Sequence, residues 1–383
     1  MRAGRFRLAG MQRIAVVLWV VCGGSAGVVQ AQAVDQSWQI APFVRPAEGN
    51  PVVTPDPAET FVDPITKKPV HWEALHTFNP AAIVRGDKVY VLYRAEDNTG
   101  KGEIGGHTSR LGLAESKDGI HFKRLPTPVL FPADDSQKKR EWPGGVEDPR
   151  IVESEDDTCV LTYTQWNRVT YSVGVATSKD LVHWKKFGPA FLDAAKGKYA
   201  NLKYKSAGIV TEMKDGRLMA ARINGKYWMY WGEIHIHLAT SDDLIHWHPV
   251  EDSSGNPVEL LSARPGHFDS SFPETGPPPI LTSKGIVVIY NGKNAPEGGD
   301  PALGANAYAA GQALFSRKDP AKLLARAEKP FLYPEMPYEK TGQYTAGTTF
   351  AEGLVFFQSK WFLYYGCADS LVGVADARAG QLY

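Results

Sequence analysis

One seven-residue phrase occurs three times in the chain at nearly equal spacing. It reads SKDGIHF at 116–122, SKDLVHW at 178–184 and SDDLIHW at 241–247. Its copies are 62 and then 63 residues apart, which is long enough for one supersecondary unit of several strands. This period fits a β-propeller blade better than a helical solenoid repeat. The repeat therefore predicts an all-β propeller, in which functional residues gather around a central channel.

Each copy of the phrase follows a set of strand-like segments. The first set consists of AAIV at 81–84, VYVLY at 89–93, LGLAES at 111–116 and HFKR at 121–124. These segments are rich in β-branched and aromatic residues, and four strands make one propeller blade. Further blades are predicted over 150–193, 206–261, 276–324 with an insertion at 293–306, and from 352 onward.

The last predicted blade has no segment for its outer strand. A matching segment, NPVVTP at 50–55, occurs near the other end of the chain. Pairing between the two would close the ring and leave no exposed sheet edge. We therefore predict a five-bladed β-propeller with four-stranded blades, closed by an N-terminal strand in the last blade.

The first 33 residues have the composition of a secretory signal peptide. They contain four arginines and no acidic residue, with an apolar run at 14–21 and the small-residue sequence Ala31-Gln32-Ala33. The apolar run is shorter than the roughly 20 residues that span a bilayer, which disfavours a membrane anchor. We predict cleavage near Ala33, a periplasmic or secreted protein, and a single propeller domain over 34–383.

The charge balance excludes some classes of partner. The whole chain has 42 basic and 42 acidic residues, and removal of the four leader arginines leaves 38 basic residues. No basic stripe remains to attract nucleic acid or, after cleavage, a membrane surface. Cys159 and Cys367 fall in blades that are not neighbours, so we expect two free buried thiols.

Polar residues that precede the first strand of each blade are the candidates for a functional site, because these segments converge at one mouth of a propeller. They are Asn79 and the residues at 147–150, 203–205, 274 and 344–349. The densest segment is WPGGVEDPR at 142–150, which alone could be a solvated turn with a local ion pair. Together with Glu274 and Glu233, it could supply the two separated carboxyl roles of glycoside hydrolysis.

Several ordered motifs identify a known family. The chain resembles glycoside hydrolase family 130, five-bladed propellers that are β-mannoside phosphorylases or β-mannosidases. The resemblance rests on FNPAAIVRGDKVYVLYRAED at 78–97, GGVEDPR at 144–150, ARINGKY at 221–227, GPPPILTSKGIVVIYNG at 276–292 and YYGCADSLVGVADA at 364–377. It covers nearly all of the chain after the predicted leader.

The resemblance implies roles for five residues. The proton donor of the family matches Asp148, which would act through a hydroxyl of the bound mannose. Residues that hold the mannose ring match Asn79, Arg94 and Asp369, and Arg150 would orient Asp148. Arg94 and Asp369 could instead be partners in structural ion pairs.

The family divides by nucleophile, and the sequence favours water over phosphate. The phosphorylases bind phosphate with an Arg and a His, at positions that here read Tyr230-Trp231-Gly232-Glu233 and Tyr290-Asn291-Gly292. Both cationic residues are missing, and carboxylates at Glu233 and Glu274 would repel phosphate. We therefore expect an inverting, exo-acting β-mannosidase in which Glu233 and Glu274 activate water. The resemblance favours a β-1,2 linkage, which the residues alone do not distinguish from β-1,4.

Two other functions stay open at this stage. The first is a β-1,4-mannosyl glycoside phosphorylase that releases mannose 1-phosphate and uses other cations, such as Lys203, Lys205, Arg222 or Lys226. The second is a non-catalytic carbohydrate-binding propeller with Trp142, Trp166, Trp228 and Trp231 as stacking platforms. The expected partner is a β-mannoside oligosaccharide, and the sequence does not predict an oligomeric state. No cofactor is required, and His107, His235 and His237 lack the spacing of a zinc site.

Overall fold

The computed structural model describes residues 36–40 and 42–378, and it is built almost entirely from β-strands. In this part of the chain the helices are one short α-helix, α1 (Lys138–Glu141), and two 3₁₀ turns, Ala194–Gly197 and Pro337–Glu339. The all-β prediction is therefore confirmed. None of the described helices is long and apolar enough to cross a membrane. The predicted leader at 1–33 lies outside the described residues.

A short hairpin, β1 (Phe61–Val62) and β2 (Pro69–Val70), precedes five consecutive antiparallel groups of strands. Group 1 contains β3 (His76–Arg85), β4 (Lys88–Glu96), β5 (Ser109–Ser116) and β6 (Lys123–Arg124). Group 2 contains β7 (Gly145–Glu153), β8 (Cys159–Trp166), β9 (Tyr171–Ser178) and β10 (Lys185–Pro189). Group 3 contains β11 (Ala207–Ile209), β12 (Thr211–Lys214), β13 (Arg217–Ala220), β14 (Arg222–Ile223), β15 (Lys226–Trp231), β16 (His237–Ser241) and β17 (Trp247–Pro249). Group 4 contains β18 (Phe272–Thr275), β19 (Ile280–Leu281), β20 (Ile286–Lys293), β21 (Tyr308–Phe315) and β22 (Leu323–Arg326). Group 5 contains β23 (Thr349–Phe357), β24 (Lys360–Cys367) and β25 (Leu371–Arg378).

The hydrophobic core consists of five clusters, and each cluster joins side chains of two groups. Groups 1 and 2 meet around Leu92 and Leu161, for example, and groups 5 and 1 meet around Tyr364 and Tyr93. The other clusters join group 2 to 3, group 3 to 4, and group 4 to 5. Because each sheet is covered on both faces, its middle strands are apolar almost throughout. This explains the continuous apolar runs such as VYVLY in the sequence.

The first strands of groups 1, 2 and 5 begin earlier than the sequence predicts. Strand β3 begins at His76 rather than residue 81, β7 at Gly145 rather than residue 150, and β23 at Thr349 rather than residue 352. Each strand contains a bulge, at Asn79, at 148–149 and at 352. Asn79 and Asp148, at the first two bulges, interrupt the apolar alternation, so the sequence pattern placed them in loops before the strands. They lie inside the strands instead.

The repeated phrase forms the same turn in all three copies. In the second copy, Ser178 Oγ accepts hydrogen bonds from the backbone N–H of Asp180 (3.2 Å) and Leu181 (2.9 Å). The carboxylate of Asp180 accepts the N–H groups of Val182 and His183 and lies 2.7 Å from His183 Nδ1. The first and third copies repeat these contacts. The predicted turn is therefore present, and the side chains of its Ser and of the Asp two residues later bond within the turn.

The N-terminal segment pairs with the last strand of group 5. Backbone hydrogen bonds join Val44 to Asp376 in both directions, and Val372 N–H donates to the Val53 carbonyl at 3.0 Å. Arg45 reinforces this pairing through a bidentate contact with the buried Glu339. Residues 50–55, predicted as an outer strand, thus contact β25 through an isolated bridge at Val53 and form no regular strand.

The two cysteines of the described chain are separate. Cys159 lies in β8 and Cys367 at the end of β24, and both are buried and outside any disulfide there. Burial raises the pKa of the Cys159 thiol to about 12, so it stays protonated at neutral pH.

Candidate active site

A cavity of about 380 Å³ receives side chains from all five strand groups. Six of the seven residues singled out from the sequence line it: Asn79, Arg94, Asp148, Glu233, Glu274 and Asp369. These residues are scattered over almost 300 positions of the chain, and the bulges and strand ends of the fold bring them together. Arg150 is not among the lining residues.

One side of the cavity is organised by the guanidinium group of Arg94, which is contacted by three carboxyl groups. Its Nη2 lies 2.7 Å from Glu96 Oε1 and 2.9 Å from Glu147 Oε1, and its Nη1 lies 3.2 Å from Asp148 Oδ1. Asn79 donates a side-chain hydrogen bond to the same oxygen of Asp148 at 2.9 Å. We call Arg94, Glu96, Glu147 and Asp148 the Arg94 cluster.

The two neighbouring carboxyl groups Glu147 and Asp148 have pKa values that are shifted in opposite directions. Burial raises the pKa of Glu147, and the nearby charges of Asp148 and Glu96 raise it further against the effect of Arg94. Burial also acts on Asp148, but Arg94, Lys205 and Arg150 together hold its pKa below the usual value. Asp369, on the same side, has its pKa raised to about 7, chiefly by burial. The free site therefore keeps Asp148 ionised while Glu147 holds a proton more readily.

Arg150 does not line the cavity but contacts backbone segments next to it. Its guanidinium donates to the backbone carbonyls of Asp148 (3.0 Å), Thr275 (2.7 Å) and Gly276 (3.2 Å), and its Nη1 lies 2.9 Å from the carboxylate of Glu352. Arg150 and Glu352 are both almost completely buried. Arg150 therefore orients the backbone of Asp148, and it holds that backbone against the strand that carries Glu274.

The other side of the cavity is organised by Lys205, which lies between two glutamates. Its Nζ is 3.4 Å from Glu233 Oε2 and 3.4 Å from Glu274 Oε1. Burial would lower the pKa of Lys205, but Glu274 and Glu233 raise it well above the usual value, so the amine stays charged. Burial and the charge of Glu233 raise the pKa of Glu274, whereas Lys205 lowers it. We call these three residues the Lys205 cluster.

The backbone places the two glutamates side by side. Glu233 and Glu274 form an isolated antiparallel bridge, and the neighbouring Gly232 donates to the Ser206 carbonyl (2.8 Å) and accepts from Thr275 N–H (3.1 Å). Gly232 has a φ of 113°, and a Cβ there would lie 2.5 Å from the carbonyl oxygen of His235. Only glycine fits this crossing of three segments.

Of the four tryptophans considered as sugar platforms, only Trp166 lines the cavity. Trp231 is buried against Phe191 and His237, and the Trp228 indole donates to the Ile223 carbonyl. Trp166 donates its indole N–H to the Gly105 carbonyl at 3.2 Å and meets the ring of Tyr171 edge-on. One of the four tryptophans is therefore available to a ligand, and the other aromatic side chains that line the cavity are Phe78, Tyr171, Tyr308, Tyr344 and Phe350.

Three of the four cations considered for phosphate binding lie outside the cavity. Lys205 lines the cavity, whereas Lys203, Arg222 and Lys226 are exposed and outside it. Arg222 donates to the carbonyls of Gly225 and Asp242, and Lys226 pairs with the Asp242 carboxylate. The lining of the cavity contains five carboxyl groups and two cations, Arg94 and Lys205.

The histidines do not form a metal centre. Nδ1 of His237 lies 2.9 Å from the Val258 carbonyl, and Nδ1 of His235 lies 3.0 Å from Ser262 Oγ. Across residues 36–40 and 42–378, no group of three or more His, Cys, Asp or Glu could hold a metal ion.

Comparison with known proteins places the chain in a family. The family model described as beta-1,4-mannooligosaccharide phosphorylase, that of glycoside hydrolase family 130, matches residues 44–382. The chain belongs to glycoside hydrolase family 130. The resemblance seen in the sequence motifs is therefore confirmed, and the cavity lies in a member of a glycoside-active enzyme family.

Individual members of family 130 are similar over most of their length. A 1,2-beta-oligomannan phosphorylase of Thermoanaerobacter sp. (strain X514) is 33% identical over 79% of this chain and 90% of that protein. A solved glycosyl hydrolase from Bacteroides ovatus is 51% identical, with a TM-score of 0.87 over 90% of this chain and 98% of that one. A further solved structure is described by the statement that this family of mannoside phosphorylases contains glycoside hydrolases that target beta-1,2 mannosidic linkages in Candida mannan. It is 51% identical, with a TM-score of 0.88 over 90% of this chain and 98% of that one.

Sequence reasoning missed several residues in and next to this family 130 cavity. Lys205 was considered only as a phosphate ligand, and its place between the two glutamates was not expected. Tyr171 was not considered. It is the first residue of the third strand of group 2, and the sequence does not indicate that its side chain faces the cavity. Glu352 was noted only as the start of a blade, although it is a fully buried carboxyl group beside Arg150.

Proposed function

We propose that this chain is an inverting, exo-acting β-mannosidase that hydrolyses β-1,2-mannosides. Asp148 would be the general acid, acting through a hydroxyl of the bound mannose, and Glu233 and Glu274 would activate the attacking water. Asn79, Arg94 and Asp369 would hold the sugar. The Lys205 cluster is the observation that carries this proposal.

The Lys205 cluster supports water as the nucleophile because its cation is already neutralised. Lys205 lies 3.4 Å from each of two carboxylates, so an entering phosphate dianion would meet two negative groups for one positive one. Two unit charges at 4 Å interact by about 4 kcal/mol at the effective dielectric near a protein surface. Water meets no such repulsion, and a carboxylate can take its proton. The solved relative described with β-1,2-targeting hydrolases supports the same choice.

The ionisation of Asp148 has to change when substrate binds. In the free site the charges of Arg94 and Lys205 lower the pKa of Asp148, whereas a general acid needs its proton. A sugar that fills the cavity displaces water, and loss of solvation disfavours the carboxylate form. We therefore expect the alkaline limb of the kcat profile to lie at higher pH than that of the kcat/KM profile.

Phosphorolysis is the second candidate, and the names of the curated relatives favour it. The similar protein from Thermoanaerobacter is a phosphorylase, and the family model carries a phosphorylase description. For this reaction Lys205 would have to bind phosphate despite Glu233 and Glu274. The linkage could then be β-1,4 rather than β-1,2.

Product analysis separates the two candidates. Proton NMR would follow a panel of mannobioses incubated with the purified chain, with and without inorganic phosphate. We expect free mannose from the β-1,2 dimer, with the α-anomer appearing first, at a rate that phosphate does not change. Formation of mannose 1-phosphate would contradict the proposal. Glu233→Gln and Glu274→Gln should each lower kcat by about 10²- to 10⁴-fold, the usual contribution of acid–base catalysis.

The five strand groups suggest how the cavity is built. We propose that they are five propeller blades, that the segment at 44–53 closes the ring against β25, and that residues 34–383 form one domain. The cyclic order of the five core clusters supports this arrangement. We also propose export through the leader at 1–33, which N-terminal sequencing of the protein from a periplasmic fraction would test.

A further inference from the structure

The two glutamates of the Lys205 cluster differ in their hydrogen-bond donors. Glu274 is fully buried, and its Oε1 accepts a hydrogen bond from Ser206 Oγ at 2.6 Å within the wall of the cavity. Glu233 is only partly buried, and its Oε1 accepts a hydrogen bond from the hydroxyl of Tyr171 at 2.8 Å. Tyr171 itself lines the cavity. The position of Glu233 is therefore controlled from a different strand group than that of Glu274.

Tyr171 is held in place by contacts that do not involve Glu233. It is the first residue of β9 and pairs directly with Trp166 at the end of β8. The turn between them is closed by Asn167, whose side-chain oxygen accepts the N–H groups of Val169 (3.0 Å) and Thr170 (2.8 Å). Trp166 packs edge-on against the Tyr171 ring, with 6.3 Å between ring centroids. A hydroxyl fixed in this way can impose its geometry on a carboxylate that is only partly buried.

The segment that carries Glu233 has little other side-chain support. Ile234, the next residue, is 54% exposed and has a φ of 70°, which is unusual for a β-branched residue. The carboxylate of Glu233 is contacted by Tyr171 at one oxygen and by Lys205 at the other. Loss of the Tyr171 contact would leave Lys205 alone to orient the group.

We propose that Tyr171 is a positioning residue, whose hydroxyl fixes the Glu233 carboxylate in the orientation that the attacking water requires. This inference rests on the proposed function of the Lys205 cluster. Burial and the charge of Glu233 raise the pKa of Tyr171 to about 12, so the hydroxyl remains a donor throughout the neutral range. The other charged groups around this contact are Lys205 and Glu274.

Tyr171→Phe tests the proposal because it removes the hydroxyl and keeps the ring that packs on Trp166. We expect kcat on the β-1,2 dimer to fall by about tenfold to a hundredfold, the usual loss for a hydrogen bond to a charged group. KM should stay within about twofold of the wild type, since the effect is on the reacting geometry rather than on sugar binding. Unchanged kcat, or a rise in KM alone, would overturn the proposal.

A matched control is Tyr199→Phe, which also removes a hydroxyl that donates to a carboxylate. Tyr199 contacts Glu251 outside the cavity, so kcat and KM should keep their wild-type values. In a Glu233→Ala background, Tyr171→Phe should cause no further loss of kcat, because its target is absent. A full additional loss in that background would show that Tyr171 acts on something else. The products of the wild type, measured in the same assay, test the proposed function separately from these ratios.

Discussion

Asn79 and Asp148 show how single residues direct a strand toward the cavity. Both lie at bulges, and both have a positive φ, 46° for Asn79 and 47° for Asp148. Left-handed backbone costs most L-residues roughly 1–2 kcal/mol, and Asn and Asp tolerate it best because their short polar side chains bond locally. The bulge then turns each side chain out of the strand alternation, and Asn79 donates directly to Asp148. The left-handed backbone at these bulges and the proposed contacts with the sugar thus favour the same residue types, Asn and Asp.

Lys205→Met tests the electrostatic role of the lysine at the scale of one residue. Because Lys205 lowers the pKa of Glu274, its loss should raise that pKa and leave less carboxylate at neutral pH. We expect the acid limb of the pH–kcat profile to move up by about 1 to 3 pH units, the usual effect of a close opposite charge. Lys203→Met, on an exposed side chain outside the cavity, is the control and should keep the wild-type profile. An unmoved acid limb in Lys205→Met would contradict the assignment.

Among strands and turns, regular elements were predictable from the sequence and irregular ones were not. The repeated turn at 116–122, 178–184 and 241–247 was predicted because the side chains of its Ser and of the Asp two residues later bond within the turn, so the phrase carries its structure locally. The true starts of β3 and β7 were not predicted, because a bulge is stabilised by partners on other strands. Asp148, for example, contacts Arg94 on β4 and Asn79 on β3.

The same contrast applies to the site. Asp148 could be named from the motif GGVEDPR, and Glu274 from its position before the predicted first strand of a blade. The contact of Lys205 with both glutamates could not, because it depends on how groups 3 and 4 are placed side by side. A side chain without a motif is recognised only once that placement is known.

The N-terminal segment is the element whose removal should matter most for stability. Arg45 makes a bidentate contact with Glu339, which is fully buried, and removing one partner of a buried pair costs about 3–5 kcal/mol. We expect Arg45→Ala to lower Tm clearly, and deletion of 34–55 to lower it further because the backbone pairs with β25 are lost. Arg317→Ala, on an exposed arginine, is the control. If the deletion leaves Tm unchanged in calorimetry, the proposed closure of the ring is wrong.

Across the whole molecule, buried carboxyl groups make the stability of the fold depend on pH. Several carboxyl groups have a pKa raised by burial, including Glu73 and Asp369, each raised to about 7. In an unfolded chain these groups titrate near 4. Between about pH 4 and 7 the folded protein therefore binds more protons than the unfolded chain, so these groups make stability fall as pH rises.

Glu73→Gln isolates this effect outside the cavity. Glu73 is fully buried, accepts a hydrogen bond from the Tyr93 hydroxyl at 2.8 Å, and lies 3.2 Å from Arg124. Because Gln does not titrate, the variant should lose part of the fall in stability between about pH 4 and 7, up to about 4 kcal/mol at about 1.36 kcal/mol per pH unit, seen as a shallower fall of Tm. Glu48→Gln, on an exposed side chain, should keep the wild-type slope. Parallel Tm curves for Glu73→Gln and the wild type would mean that Glu73 is ionised in the folded protein, with Arg124 outweighing its burial.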